Sequence, residues 1–595
     1  MRRARIQALI LLSALAGCAP HQAPPAAPPS NLVIFTLDTT RADHLGCYGY
    51  ARARTDTIDA LAARGVLFEN ARTPVPLTLP AHTTIMTGLL PCEHGARDNG
   101  IFRVGADTDT LATVLAAHGF ATGAFVGSFV LDASFGLARG FAVYSQVKQK
   151  KLADDGFFDE RTALSVTHDA VAWLESVPRD QRFFAWVHYY DPHSPYQPPA
   201  GVPPGMHPYD AEIAFVDDQM QVVLDTLARL GRRADTLIVV TADHGEGLGE
   251  HGEDSHGFFI YDATMHVPLV FAHESFAPAR VTAGVGLQDI ARTVLAALLI
   301  EPPATMGGRS LLDALRGSAL ASAPQYLETF SPYLSCGWSP LVGVAQERYK
   351  LIRAPRPELY DLAHDPHETT NVHGADAARV ASLESLVDRL VAEHSLAAAR
   401  ATAFSPSAED RAKLARLGYV GMQLRPDAAS QLRLADPKDK LETLRRRLRA
   451  IELLRKGEPM QALPILKALV EEEPDNAAHL NNYGVALSQV GELEPAAHYL
   501  ELAAQKGDLT ASNQATLGEV YLSLNRLADA EQHFRRALEL QPKHLFALLK
   551  LAELLEKKGE RDAALACYEQ LLELWDGDVA TRENVLRRVA KLKRP

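Results

Sequence analysis

The sequence predicts an α/β domain with a mostly parallel sheet, followed by an all-α array of helical hairpins. Three observations carry this expectation. Apolar runs such as Asn31–Leu37 and 236–241 have the length and β-branched content of strands buried on both faces. Up to about residue 300 such runs alternate with helix signals, the rhythm of βαβ units in a three-layer sandwich. Beyond residue 400 the strand signals stop and a 34-residue period begins.

A chain of 595 residues exceeds one domain. Its composition is that of a globular protein, 47% hydrophobic and 22% charged, and a net charge of -13 argues against nucleic acid as the main partner. The five cysteines form no CxxC pair, so neither a disulfide framework nor a zinc knuckle is indicated.

Taken in order, Arg2, Arg3 and Arg5 precede an apolar segment at 6–15, the pattern of a secretory signal. Leu15-Ala16-Gly17-Cys18 resembles the bacterial lipobox, in which the cysteine becomes the acylated first residue. The expectation is a signal peptide over 1–17, lipidation at Cys18 and a Pro-rich tether over 18–30 reaching on the order of 30 Å. Acyl chains would hold such a protein at a membrane, exported to the periplasm or cell surface. No later segment has the ~20 uninterrupted apolar residues of a membrane helix.

Within 31–400, the first strand ends at Asp38. A capped helix at 57–64 stops at Gly65 before a strand from Val66, and a helix at 110–118 stops at Gly119 before a strand at 121–126. Strands at 183–188 and 236–241 run into Asp191-Pro192-His193 and Asp243-His244. Segments 350–352 and 358–360 suggest a small antiparallel appendage. Between these, Thr78-Leu79-Pro80 opens a predicted helix that Gly88 closes, which puts the Thr78 hydroxyl just ahead of an anion-favouring N-terminus. Open α/β sheets carry their sites beyond the carboxyl ends of strands, so Asp38 and Asp243-His244 are expected to converge on Thr78. Two carboxylates, an imidazole and a hydroxyl make a mixed O/N ligand set; a metal there would lower the hydroxyl pKa.

The ordered motifs Leu37-Asp38-Thr39-Thr40-Arg41-Ala42-Asp43-His44, the Thr78 loop, Thr241-Ala242-Asp243-His244-Gly245-Glu246 and 358–371 resemble the sulfatase-like branch of the alkaline phosphatase superfamily, over roughly residues 31–420. The chain departs from that pattern at informative places. Thr78 and His82 stand where sulfatases have the formylglycine Cys or Ser and the Arg of its motif, and threonine cannot yield that aldehyde. Thr39 replaces a second Asp, and Asp243-His244 replaces Asp-Asn. Asp38, Thr78, Asp243 and His244 match instead the metal ligands of nucleotide phosphodiesterases, and resemble those of phosphoethanolamine transferases, with Zn favoured over Mn or Ca. Among the relatives Asn99 corresponds to an amide that holds a non-bridging oxygen, and His256 to a histidine beside the site. Asp191, His193 and His256 are candidates for a second metal or for proton transfer, while His188 and His251 read as structural.

After a connector at 401–442, Gly457, Gly491 and Gly559 fall in register with Asn525, as do Ala462, Ala496, Ala530 and Ala564. Leu517, Gly518, Tyr521, Ala530, Phe534, Ala537 and Pro542 fit the tetratricopeptide (TPR) pattern. Four repeats over 443–578 and a closing helix over 579–595 are expected. Function is therefore expected to be cleavage of a phosphate mono- or diester by Thr78 through a covalent intermediate, with a sulfate ester less favoured, the ester belonging to a glycan, lipid headgroup or nucleotide-like compound, and with the repeats binding a protein partner. The alternatives are a phosphoryl-group transferase of the phosphoethanolamine type and a TPR scaffold with a vestigial catalytic domain.

Overall fold

The computed structural model describes residues 27–100, 102–147, 161–198, 205–395, 402–403, 434–507, 510–541, 544–574 and 579–593. The predicted signal peptide, Cys18 and most of the predicted tether and connector lie outside them.

Strand-forming runs build two sheets and a short pair. The strands are β1 (Asn31–Leu37), β2 (Val66–Arg72), β3 (Phe102–Arg103), β4 (Ala121–Val126), β5 (Val143–Ser145), β6 (Phe183–Tyr189), β7 (Thr236–Ala242), β8 (Leu269–Ala272) and β9 (Ala279–Gly286). They are followed by β10 (Gln325–Thr329), β11 (Leu341–Gln346), β12 (Tyr349–Arg353), β13 (Glu358–Asp361) and β14 (Thr402–Ala403). The main sheet has the order β5-β4-β6-β1-β7-β8-β2-β9. Only β8 runs antiparallel to its neighbours in it.

The apolar runs are unbroken because both faces of this sheet are covered. Along β1, Leu32 and Ile34 enter one core with Leu79, Ile85 and Met86 of the Thr78–Thr87 helix and Val294 and Leu295 of Asp289–Ala297. The alternate residues Val33, Phe35 and Leu37 enter the other, with Val166 and Ala170 of Ala163–Ser176 and Val216 and Met220 of Pro208–Arg229. This is the predicted three-layer sandwich. The appendage is a four-stranded antiparallel sheet, β10-β11-β12-β13, with the helix Ala377–Ser395 packed on it through Leu383, Leu386 and Val387.

Four antiparallel helix pairs follow, from Leu441–Arg455 with Pro459–Glu472 to Leu545–Lys558 with Arg561–Leu574, and then Val579–Leu592. The turn residues that fall in register share one need: Gly457, Gly491 and Gly559 have φ of 72°, 87° and 79°, and Asn525 takes φ 58° in the remaining place. At Gly518 a Cβ would sit 2.6 Å from the Phe534 ring, so glycine there sets how closely the paired helices approach. The array rests on the α/β domain: Asn476 Nδ2 donates to Cys336 O at 2.9 Å, and buried Arg447 donates to Cys336 Sγ at 2.7 Å.

Candidate active site

The register of three neighbouring strands builds the site. Thr36 pairs with His188 on β6 and Thr241 on β7, and Leu37 with Tyr189 and Ala242, so Asp38 and Asp243 leave adjacent strands side by side. The ligand atoms of Asp38, Asp243 and His244 lie within 4.8 Å of one another. The helix Thr78–Thr87 brings its first residue to them: Thr78 Oγ1 is 3.4 Å from His244 Nε2. Sequence reasoning put Thr78 just ahead of this helix; it is instead the first helical residue, Leu77 being the N-cap. The four side chains are buried.

Hydrogen bonds fix what each imidazole can offer. His244 Nδ1 faces the Gly245 carbonyl at 3.0 Å; a carbonyl only accepts, so the proton sits on Nδ1 and the Nε2 lone pair points at Thr78 and the carboxylates. Burial holds the His244 pKa well below the ordinary value, so the ring is neutral. At Gly245 itself a Cβ would lie 2.1 Å from the Ala263 carbonyl oxygen, so only glycine lets this loop pass. Asp243 Oδ1 accepts from the His244 and Thr39 amides at 2.8 and 3.2 Å, the latter possible because Thr39 is left-handed at φ 48°. Asp243 Oδ2 has no hydrogen-bond partner, and burial raises this carboxyl to about 6.

His82, His188 and Asp243 also approach one another closely enough to be read as a metal cluster. Their hydrogen bonds argue otherwise. His82 Nδ1 donates to Thr78 O at 2.8 Å, and its Nε2 accepts from Thr36 Oγ1 at 3.0 Å, so both nitrogens are engaged. His82 thereby ties the start of the helix to β1. His188 Nδ1 accepts from the Gly127 amide at 3.3 Å, which places the proton on Nε2, 3.4 Å from Asp38 Oδ2. The sequence reading of His188 as merely structural needs correction: it faces a site carboxylate. No local signal marks it, because every residue of β6 is buried and a site histidine there looks like a core one.

Asn99 Oδ1 accepts from the Leu79 amide at 2.8 Å, while its buried Nδ2 has no hydrogen-bond partner. His256 donates from Nδ1 to Glu246 Oε1 at 3.0 Å, and its ring lies 4.3 Å from that of His244 and 5.1 Å from that of His193. Burial pushes His193 and His256 down to about 3, so both are neutral. Asp191 does not join them. Its Oδ2 accepts from the Ala163 amide at 2.6 Å, capping the helix Ala163–Ser176, so the proposed second metal site loses its carboxylate. His251 stacks on Tyr261 at 3.6 Å, away from the cluster.

Asp38, Thr78, Asp243 and His244 together present two carboxylates, a hydroxyl and an unprotonated imidazole nitrogen in a buried cluster, a donor set that fits a divalent cation.

Residues 30–300 match the sulfatase family model, and residues 249–395 match the model of the N-sulphoglucosamine sulphohydrolase C-terminal domain. The α/β domain belongs to the sulfatase family. Residues 447–512 and 516–579 match the tetratricopeptide repeat model. The sulfatase domain is 25% identical over 429 residues to the uncharacterized sulfatase YidJ of Escherichia coli, a match covering 60% of this chain and 85% of that one. It is 24% identical over 421 residues to a Delta 4,5-hexuronate-2-O-sulfatase of Bacteroides thetaiotaomicron, covering 58% and 84%. A phosphonate monoester hydrolase of Agrobacterium radiobacter shares the fold at a TM-score of 0.52 and 22% identity, over 64% of this chain and all of its own. This chain is thus a sulfatase-family hydrolase carrying TPR repeats.

Proposed function

We propose that this protein is an exported, metal-dependent hydrolase in which Thr78 attacks a sulfate ester. The observation that carries this reading is the Thr78 hydroxyl at a helix N-terminus, 3.4 Å from the lone pair of His244 Nε2 and beside two buried carboxylates. Asp38, Thr78, Asp243 and His244 would hold the ion, with zinc favoured over manganese or calcium by the imidazole donor. When bound, such an ion lowers the pKa of the hydroxyl and stabilises charge on the substrate oxygens.

The residues of the chain supply the rest. His82 holds the Thr78 backbone and so aims its hydroxyl. Thr78 Oγ1 forms a bond to sulfur as the bond from sulfur to the alcohol oxygen breaks; the proton lost by the hydroxyl ends on the departing oxygen, the alcohol leaves, and a threonine sulfate ester remains. Asn99 Nδ2 donates to a non-bridging oxygen at a position where nothing else claims it. Neutral His256, backed by Glu246, accepts a proton from the water that cleaves this ester and regenerates Thr78. A glycan ester is the substrate class favoured by relatives such as the hexuronate sulfatase.

A phosphate ester is a second reading, favoured by Thr78 itself, since threonine attacks phosphorus without the formylglycine chemistry that this loop cannot acquire. Group transfer to an alcohol would use the same first step, and no feature of the site favours it over hydrolysis. A panel of sulfate monoesters, phosphate monoesters and phosphate diesters, assayed with chelated and zinc-restored enzyme, separates these readings. Zinc-dependent turnover of sulfate esters is expected. Turnover of phosphate esters alone would transfer the proposal to the second reading, and no turnover of any ester would leave a TPR scaffold.

A further inference from the structure

A cavity of about 130 Å³ opens between the sulfatase domain and the first helix of the TPR array, Leu441–Arg455. On one side it is lined by Leu77, which precedes Thr78, by His256 and by Phe258. The other side is Leu441, Leu444, Arg445 and Leu448 of the helix. The cavity therefore adjoins the site: its wall includes the residue that caps the Thr78 helix and His256, whose ring lies 4.3 Å from that of His244.

The helix is held firmly in this place. Arg445 donates to Gly252 O at 3.0 Å and faces Asp254 at 3.7 Å on the rim. Gly252 has φ +81° and would bring a Cβ to 2.7 Å from Leu441 Cδ1, so glycine admits the leucine. Leu444 packs with Cys336, Trp338 and Phe258. Leu448, by contrast, remains 44% exposed on the cavity wall, an apolar side chain that the fold does not use. A space of about 150 Å³ lined by apolar side chains holds one benzene ring, so this cavity is of single-ring size.

We propose that this cavity is the leaving-group subsite, receiving one six-membered ring with an apolar face on the alcohol side of the ester, and that the TPR helix forms its outer wall. The inference rests on Thr78 being the nucleophile. It gives the repeat array a role in substrate choice besides any protein partner, with Leu448 as the specificity-determining residue.

The test uses the full-length, zinc-loaded protein and its Leu448→Glu and Leu448→Trp variants, at a position exposed enough to tolerate both. The phenyl-over-methyl preference in kcat/KM, measured with phenyl and methyl esters of the same acid, is expected to fall about tenfold or more in each variant, mainly through KM. An unchanged preference in both variants overturns the proposal. Affinity for phenylphosphonate against methylphosphonate, read by calorimetry, keeps it testable if no ester is turned over. Tighter binding of the phenyl compound by the parent, lost in Leu448→Glu, supports the ring subsite even then; equal or no binding of the two compounds by the parent overturns it.

Discussion

His82 stands where the formylglycine motif has arginine, and its two hydrogen bonds show what that exchange achieves. One nitrogen donates to the Thr78 carbonyl, the other accepts from Thr36, and the ring is wholly buried. His82→Ala would remove both bonds and leave a void, a combined cost of about 2–4 kcal/mol. It should nevertheless leave the metal content unchanged, because neither nitrogen is available to an ion. Elemental analysis alongside thermal unfolding checks this; a folded variant that has lost its metal would make His82 a ligand. Asp38, Thr78, Asp243 and His244 could all be found from sequence, because strand ends and a helix start advertise themselves through apolar runs and a proline. His188 and Asp191 could not be sorted, since one lies near the end of β6 and the other just beyond it. Only the tertiary neighbours, Asp38 for one and the Ala163 amide for the other, give them different roles.

At the scale of an element, the loop between β7 and the short helix Asp262–Met265 carries a buried carboxyl, Glu253. Its oxygen accepts from the Phe258 amide at 2.7 Å, yet desolvation raises its pKa to about 8. The folded state therefore binds more protons than the unfolded one between the ordinary glutamate value, about 4.3, and about 8. The sign follows: stability from this group is greatest at the acidic end and falls as the pH rises through that window. Glu253→Gln keeps an acceptor for Phe258 and removes the titration. Its melting temperature relative to the parent should rise from pH 5 to pH 9; a difference that stays flat would mean Glu253 is ionised in the fold throughout. The helix hairpins were the most legible elements in the sequence. Their turns need left-handed residues, and glycine or asparagine supplies them at Gly457, Gly491, Asn525 and Gly559. That Leu441–Arg455 docks beside His256 was not legible. The contact joins segments almost 200 residues apart, Arg445 to Gly252 for example, and its residues look like any amphipathic repeat face.

At the scale of the whole molecule, a sulfatase domain and a TPR array share one seam, and export of both is a proposal that rests on the N-terminal sequence alone. No helix among the described residues is long and apolar enough to cross a membrane, and the proposal for anchoring is acylation at Cys18. Two acyl chains suffice for stable attachment. The Cys18→Ser protein, expressed in a bacterial host and fractionated, should leave the membrane pellet for the soluble fraction; retention equal to the parent would contradict the lipoprotein assignment. The central claim, however, is covalent. Incubating the zinc-loaded protein with a sulfate ester labelled in its sulfuryl group, quenching in acid and digesting should put the label on the peptide that contains Thr78, with Thr78→Ala unlabelled and slowed at least about a thousandfold. Full activity in Thr78→Ala with no label trapped in the parent would mean that water attacks directly and that the hydroxyl at the head of this helix is only a cap.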